Sequence, residues 1–267
     1  MRIKVLALIV TVGVLTSGCI RSTTRIELKA DGSGTILQEN AVSAQALAMI
    51  KGFAASKEAD AKQPAPDLFT REQAMKTAEA MGVTFVSGEP IKTGELEGYR
   101  ARYSFDDITK VKVNMQQGPD SLVPAAAEKE PPFGFSFSRG AASSLLTIQM
   151  PETPGGGFPG GAFPGMPGGG GADADKSQAA QALAMMKMMM QGMFLDVSLA
   201  VDGRIIKSNA NHVQGSTITL LQVDFDKLLG DETALKRLEA AKDTKALADI
   251  PGLKIATEPK LVIEFGR

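Results

Sequence analysis

The sequence predicts an α+β fold built on antiparallel sheet, and three observations carry that prediction. Short alternating runs flank Asp31-Gly32 and Asp202-Gly203, dipeptides that supply the positive φ of a tight hairpin. Phe133, Phe135 and Phe137 alternate with Gly134, Ser136 and Ser138, and Leu146, Ile148 and Met150 alternate in the same way, which makes two half-buried strands. Capped helical segments fall among these hairpins without the regular strand–helix alternation of a parallel α/β sheet. The expected architecture is an antiparallel sheet of hairpins, packed Ala/Met-rich helices and a disordered Gly/Pro-rich loop.

The first element is Met1 to Cys19. Arg2 and Lys4 give it a basic head, and Val5 to Leu15 is an apolar run too short to cross a bilayer as a stable anchor. Leu15, Thr16, Ser17 and Gly18 then lead to Cys19. Small residues before a cysteine, after such a run, resemble the lipobox of a bacterial lipoprotein precursor, with Thr16 standing where Leu is commonest. The resemblance implies diacylglycerol on the Cys19 thiol, cleavage before Cys19, and acylation of the new amino group. An ordinary secretory signal with a chance cysteine is the competing reading, but Cys19 is the only cysteine among 267 residues. With that thiol consumed no disulfide forms, and a core has to supply the stability. No later stretch approaches the ~20 apolar residues of a membrane span. The lipid is therefore the expected anchor, at ~0.8 kcal/mol per buried CH₂, and two or three chains hold durably where one does not. Ile20 replaces the Asp that commonly retains such a protein at the inner membrane in enteric bacteria. That leaves outer-membrane delivery open, and the expected address is the cell envelope, with the periplasmic face of the outer membrane ahead of the inner membrane.

The remaining elements come in order. Thr23 to Leu28 is a strand, Asp31-Gly32-Ser33-Gly34 a turn, and Thr35 to Glu39 the return strand. Ser43 caps a helix to Phe53, and Ala54 to Asp67 is a polar loop. Thr70-Arg71-Glu72-Gln73 fits a capping box for a helix running to Met81 and closed by Gly82. Val83 to Ser87 and Tyr99 to Phe105 are strands joined by a turn-rich link, Gly88 to Gly98. Asp106 and Asp107 cap a short helical turn towards Val111, and Gln116 to Pro132 is a linker. Pro151 to Gly171 is almost all Gly, Pro, Phe and Ala, which holds neither helix nor ladder. A helix capped by Asp173 or Asp175 runs to Gln191. Phe194 to Val201 is a strand, Asp202-Gly203 a tight turn, and Arg204 to Ser208 its return. Ser216 to Phe225 is another strand, Asp231 opens a helix through Lys242, Thr244 to Ala248 is a short helix, and Leu261 to Phe265 is a strand. The organisation is thus a signal peptide (1–18), the N-terminal part of the domain (19–150), a flexible loop (151–172), the Met-rich helix and C-terminal hairpin of the same domain (173–229), and a helical tail with a final strand (230–267).

Composition excludes several functions. Lys+Arg 29 against Asp+Glu 30 leaves a net charge of -1, with no electrostatic footprint for nucleic acid and no polybasic patch for anionic headgroups. A hydrophobic share of 43% permits a core. Trp is absent and aromatics are 5%, so aliphatic side chains and Met have to fill it.

The loudest local feature is Met185, Met186, Met188, Met189, Met190 and Met193, interrupted by Lys187 and Gln191. Leu183, Met186, Met190 and Met193 line one helical stripe. Thioethers suit Cu(I), but no histidine or second Met cluster stands nearby to complete a site. A Met-rich helix also forms an adaptable apolar surface for lipid or a protein partner. The plainest reading packs it on the sheet as a gap-filler. Met185, Met186, Met189, Met190 and Met193 are the candidate ligand-binding side chains, with no metal and no cofactor expected. Ala44 to Lys51 echoes Ala180 to Lys187, and small Ala faces would let the two helices pair closely.

The single histidine, His212, lies in the polar loop Asn209 to Gly215 and reads as a surface residue. Asp106 and Asp107 read as helix caps rather than a catalytic carboxylate pair, since adjacent turn residues point apart. Tyr99, Arg100, Arg102 and Tyr103 read as a strand face of alternating charge, with a headgroup-facing patch as the alternative. No nucleophile, base or metal constellation appears, so no catalytic residue is assigned and the chain is not expected to be an enzyme.

Several pieces recur together in a known family. The lipobox cysteine is followed by a strand and an Asp-Gly-x-Gly-type turn, a helix, Val83-Thr84-Phe85-Val86, and Gly98-Tyr99 leading to Tyr103-x-Phe105-Asp106-Asp107. Then come Phe135-x-Phe137, Leu195 to Val201, Gly203-Arg204-Ile205-Ile206-x-Ser208-Asn209 and Gly215-Ser216-Thr217-Ile218. From Cys19 to Phe225 this resembles the LppM-type lipoprotein domain of actinobacteria and related bacteria. The resemblance implies an envelope lipoprotein with a sheet domain and a lipid- or glycolipid-binding role; it carries over no binding residue. The Gly/Pro loop with its Met helix and the stretch Asp231 to Arg267 are departures, as is the lack of the second, C-terminal span seen in some members. The expectation is a non-enzymatic, lipid-anchored envelope lipoprotein that binds a lipid or other amphipathic ligand between sheet and Ala/Met helices. The alternative is a structural or assembly lipoprotein that uses the same surface on an envelope protein partner.

Overall fold

The computed structural model describes residues 20–44, 46–48, 69–93, 96–113, 131–151, 187, 190–241 and 244–266. The expected α+β class, with mainly antiparallel sheet, is what it shows. Cys19, most of the Ala/Met-rich segments and the Gly/Pro-rich loop lie outside the described residues.

The first hairpin forms as its sequence dictates. β1 (Ile20–Leu28) and β2 (Gly34–Ser43) pair antiparallel from Ile20↔Val42 to Leu28↔Gly34. Ile26, Leu28 and Ile36 are fully buried on one face, while Arg21, Arg25 and Glu27 are exposed on the other. Ser43 ends β2 as a cap, its Oγ accepting the Ala46 N–H at 3.1 Å. α1 (Arg71–Met81) is capped by Thr70, whose hydroxyl accepts the Gln73 N–H at 3.2 Å, and is closed by Gly82. It buries Ala74, Ala78 and Met81. β3 (Thr84–Thr93) and β4 (Leu96–Phe105) pair along their whole length. The stretch Gly88 to Gly98, expected to be a turn-rich link, is therefore mostly strand. A bulge between Phe85 and Ser87 absorbs the irregularity, and Pro90 sits on an edge strand, where its missing N–H costs nothing. Asp107 caps a single 3₁₀ turn, Ile108–Lys110, accepting the Thr109 N–H.

β5 (Gly134–Arg139) and β6 (Ser144–Gln149) form the expected Phe/Leu hairpin. β7 (Phe194–Val201) is buried from Val197 to Val201 on both faces. The expected partner of β7 is wrong in one respect. β8 (Arg204–Ser208) does not return along it after Asp202-Gly203 but pairs with β12 (Lys260–Gly266) in another sheet. The reason is occupancy: β7 is flanked by β1, in parallel, and by β10 (Thr217–Asp224). β9 (Val213–Gln214) and β11 (Leu253–Ile255) lie along the free edge of β10. α2 (Phe225–Gly230) and α3 (Glu232–Ala240) come after β10, and Asp231 caps α3 through the N–H groups of Thr233 and Ala234.

Two sheets result. The large one runs β11-β10-β7-β1-β2-β4-β3, with β9 beside β10, and the small one runs β5-β6-β12-β8. Their inner faces share one hydrophobic cluster that includes Ile26, Ile36, Leu199, Leu146, Ile148, Ile263 and Phe265. Each such side chain contributes about 1.5–3 kcal/mol of transfer free energy. The expected tail, 230–267, thus supplies an edge strand to the large sheet and an inner strand to the small one. Among the described residues no helix is long and apolar enough to cross a membrane.

Candidate functional site

One end of the large sheet gathers most of what the sequence singled out. The register Arg21↔Phe194 lays the start of β7 beside the start of β1, the strand whose first residue is next to Cys19. Met190 is helical and Met193 directly precedes β7; both are half-buried and pack against the core, as does Leu195. The backbone there is pinned at three points. The Met193 N–H donates to the Met190 carbonyl at 2.9 Å, the Phe225 N–H to the Met193 carbonyl at 3.1 Å, and the Gly192 N–H to Asp226 Oδ1 at 2.6 Å. The Arg21 guanidinium lies 5.3 Å from the centre of the Phe194 ring. Met185, Met186 and Met189 fall outside the described residues.

The opposite end holds a concavity of about 430 Å³. Lys29, Asp31, Arg139, Ser143 and Asp202 contribute its polar wall, with Ala141, Ala142 and Phe265 as apolar neighbours. The Ser144 hydroxyl donates to the Ala30 carbonyl at 2.8 Å and ties the two sheets together there. A much smaller cavity, about 30 Å³, lies between α1 and the sheet beside Gln38, Asn40, Gln73 and Tyr103, room for about one water. Among the described residues no methionine lines either.

The outer face of the large sheet carries a polar row. Strand register aligns Lys254, Gln222, Asp196, Thr23, Glu39, Arg100 and Glu89 across it. Arg100 is held between Glu39 and Glu89, and these hydrogen bonds, the one to Glu39 foremost, raise its pKa. Asp196 accepts the Ser198 hydroxyl at 3.1 Å. Its burial pushes its carboxyl up, against the hydrogen bond from Ser198 and the charges of Lys254, Arg25 and Arg21.

Tyr99, Arg100, Arg102 and Tyr103 do not share a face. Tyr103 is buried inside, its hydroxyl donating to Gln38 Oε1 at 3.2 Å, and burial raises its pKa. Arg100 and Arg102 are exposed on the outside. His212 is half-buried rather than a free surface residue, and among the described residues its enclosed Nε2 has no hydrogen-bond partner. Burial, then Lys254, lowers its pKa, with Asp249 opposing. Asp107 is a cap, as expected. Among the described residues no group of three His, Cys, Asp or Glu side chains could hold a metal ion.

Sequence reasoning missed Asp196 and the end concavity. Asp196 shares a strand face with Phe194 and Ser198 and alternates with Leu195 and Val197 like any strand residue, and the concavity is assembled from segments far apart in sequence.

No protein-family model and no curated protein matches the chain. Among solved structures, the chain is similar to the folded domain of the Mycobacterium tuberculosis LppM protein, determined by NMR. The match covers 94% of this chain and 91% of that one, at 9% identity and a TM-score of 0.34. A TM-score of that size leaves the two folds too far apart to establish a shared one.

Proposed function

We propose that the chain is an exported envelope lipoprotein, acylated at Cys19, whose domain binds a lipid or other amphipathic ligand without transforming it. The observation that carries this reading is the junction at Ile20. An apolar leader with small residues ends in the chain's sole cysteine, and the hydrogen-bonded sheet begins at the next residue. The ligand is assigned to the Ala/Met segments, of which Ala44, Ala46 to Ala48, Lys187, Met190 and Met193 are described. Thioethers on unbranched side chains repack around acyl chains of different shape at little cost. Non-enzymatic binding is favoured because Asp196 is engaged by Ser198 and, among the described residues, His212 Nε2 has no hydrogen-bond partner that could pass it a proton.

Labelled palmitate incorporation, compared with a Cys19→Ala variant, tests the anchor. Native mass spectrometry of the membrane-extracted protein tests the ligand. A co-purifying lipid is expected; a clean apo mass with a stoichiometric protein partner defeats the binding reading. That partner is the second reading, an assembly lipoprotein. Leu145, Ile206 and Val262, which the small sheet leaves 42%, 49% and 37% exposed, favour it.

A further inference from the structure

We propose that the end of the large sheet where β1 and β7 begin is a bilayer-contact surface. It seats the domain directly on the lipid headgroups with the strands running away from the membrane. This rests on the acylation of Cys19 proposed above and adds an orientation to it.

The geometry is that of a chain without a leash. Ile20 is already paired with Val42, and Arg21 with both Ala41 and Phe194. Consecutive Cα atoms are about 3.8 Å apart, so a lipidated Cys19 leaves no linker through which the domain could swing. A cysteine whose acyl chains lie in the hydrocarbon holds its own backbone at headgroup depth. Whatever the sheet gathers beside Ile20 is held there too.

What it gathers suits an interface. The antiparallel pairing of β2 with β1, and of β4 with β2, brings Leu96 to this end, opposite Ser43. Parallel pairing brings Phe194 and, just before it, Met193. Ile20, Leu96, Met193 and Phe194 are all half-buried, so each still shows apolar surface. The Arg21 guanidinium over the Phe194 ring is a cation on an aromatic base, an arrangement that reaches from apolar depth to phosphate level. Among the described residues the charges beside it come in opposite pairs: Lys92 and Glu97, both exposed, face each other across β3 and β4, and Lys227 bonds Asp224 at 2.7 Å. Seating is therefore driven by the anchor and the apolar side chains, not by anionic lipid, and is insensitive to salt. At about 3.3 Å per residue, the length of β1 places Lys29, Asp31 and the 430 Å³ concavity roughly 30 Å out, in the aqueous phase.

The test uses the acylated full chain in vesicles of phosphatidylethanolamine and phosphatidylglycerol. Acylation blocks Cys19, the chain's only cysteine, so one added cysteine is the single reactive thiol. Thr93→Cys, exposed at the end of β3 beside Leu96, and Asp31→Cys, exposed at the far end, each carry an environment-sensitive fluorophore. Neither replaced side chain is buried, so neither variant empties core volume. Lipid bearing a headgroup nitroxide should quench the Thr93 site several-fold more than the Asp31 site, equally at low and high salt. Equal quenching at the two sites, on protein whose mass shows the acyl chains, overturns the seating and leaves the anchor standing. A mass without acyl chains overturns both.

Discussion

The chain turns twice on Asp-Gly, and the two corners do opposite things. Asp31-Gly32 closes a hairpin: the Lys29 N–H donates to the Ser33 carbonyl at 2.8 Å, and β2 returns along β1. Asp202-Gly203 closes nothing. The Asp202 N–H donates to the Leu28 carbonyl at 2.8 Å, and β8 leaves for the other sheet. Both glycines take positive φ, 89° at Gly32 and 112° at Gly203. The strands around them differ. β1 and β2 each bury mainly one face, whereas β7 is buried on both from Val197 onwards. A strand buried on both faces is a central strand, and its edges belong to whichever neighbours claim them. A turn dipeptide sets direction; the burial of its flanks sets the partner.

The strongest way to break the second corner is to remove what β8 pairs with. Phe265→Ala, at a fully buried position 6.4 Å from the Phe137 ring, should cost about 3–5 kcal/mol in urea unfolding. Hydrogen exchange should show the amides of β8 losing protection while those of β7 keep theirs. Equal loss in both strands would make β8 part of the β7 unit after all.

Next come the corners themselves. Gly32→Ala should cost about 2–4 kcal/mol, because a Cβ there meets both a positive φ and the Phe137 ring at 2.9 Å. Gly203→Ala should cost about 1–2 kcal/mol for its φ. The reverse order of melting temperatures would make the second corner the tighter.

The smallest effects separate the two regions by pH. Burial lowers the pKa of His212, in the loop after β8, so folding favours its neutral form. That contribution is present above the ordinary imidazole value of about 6.5 and is lost as pH falls through the lower folded value; His212→Asn should flatten this step. At the first corner, hydrogen bonds from the Ser33 hydroxyl and N–H hold the Asp31 carboxyl below its ordinary value. Its contribution is present above about 4 and lost on further acidification, a step Asp31→Asn should remove. Urea midpoints measured downwards from neutral pH read both. Steps in the opposite order would assign them to other groups.

Much of the fold was legible because its signals are local. Thr70 and Gln73 mark a helix start by the bond they make, Asp107 and Asp231 likewise, and the alternation of Phe133 to Phe137 is the face of β5 that meets the core. The pairing of β1 with β7 was not legible. Ile26 and Leu199 lie side by side, yet nothing near either residue encodes the other. The candidate site divides in the same way. The lipobox-like stretch reads directly, whereas the position of Met193 beside the start of β1 comes only from that long-range register.

The parallel ladder also governs the order in which the molecule can be made. Thr24 emerges from the ribosome long before Val197 exists to lie against it, and until then one edge of β1 has no neighbour. Over that interval the nascent chain is kept pliable by its own topology, and a holding chaperone would find an open strand to shield.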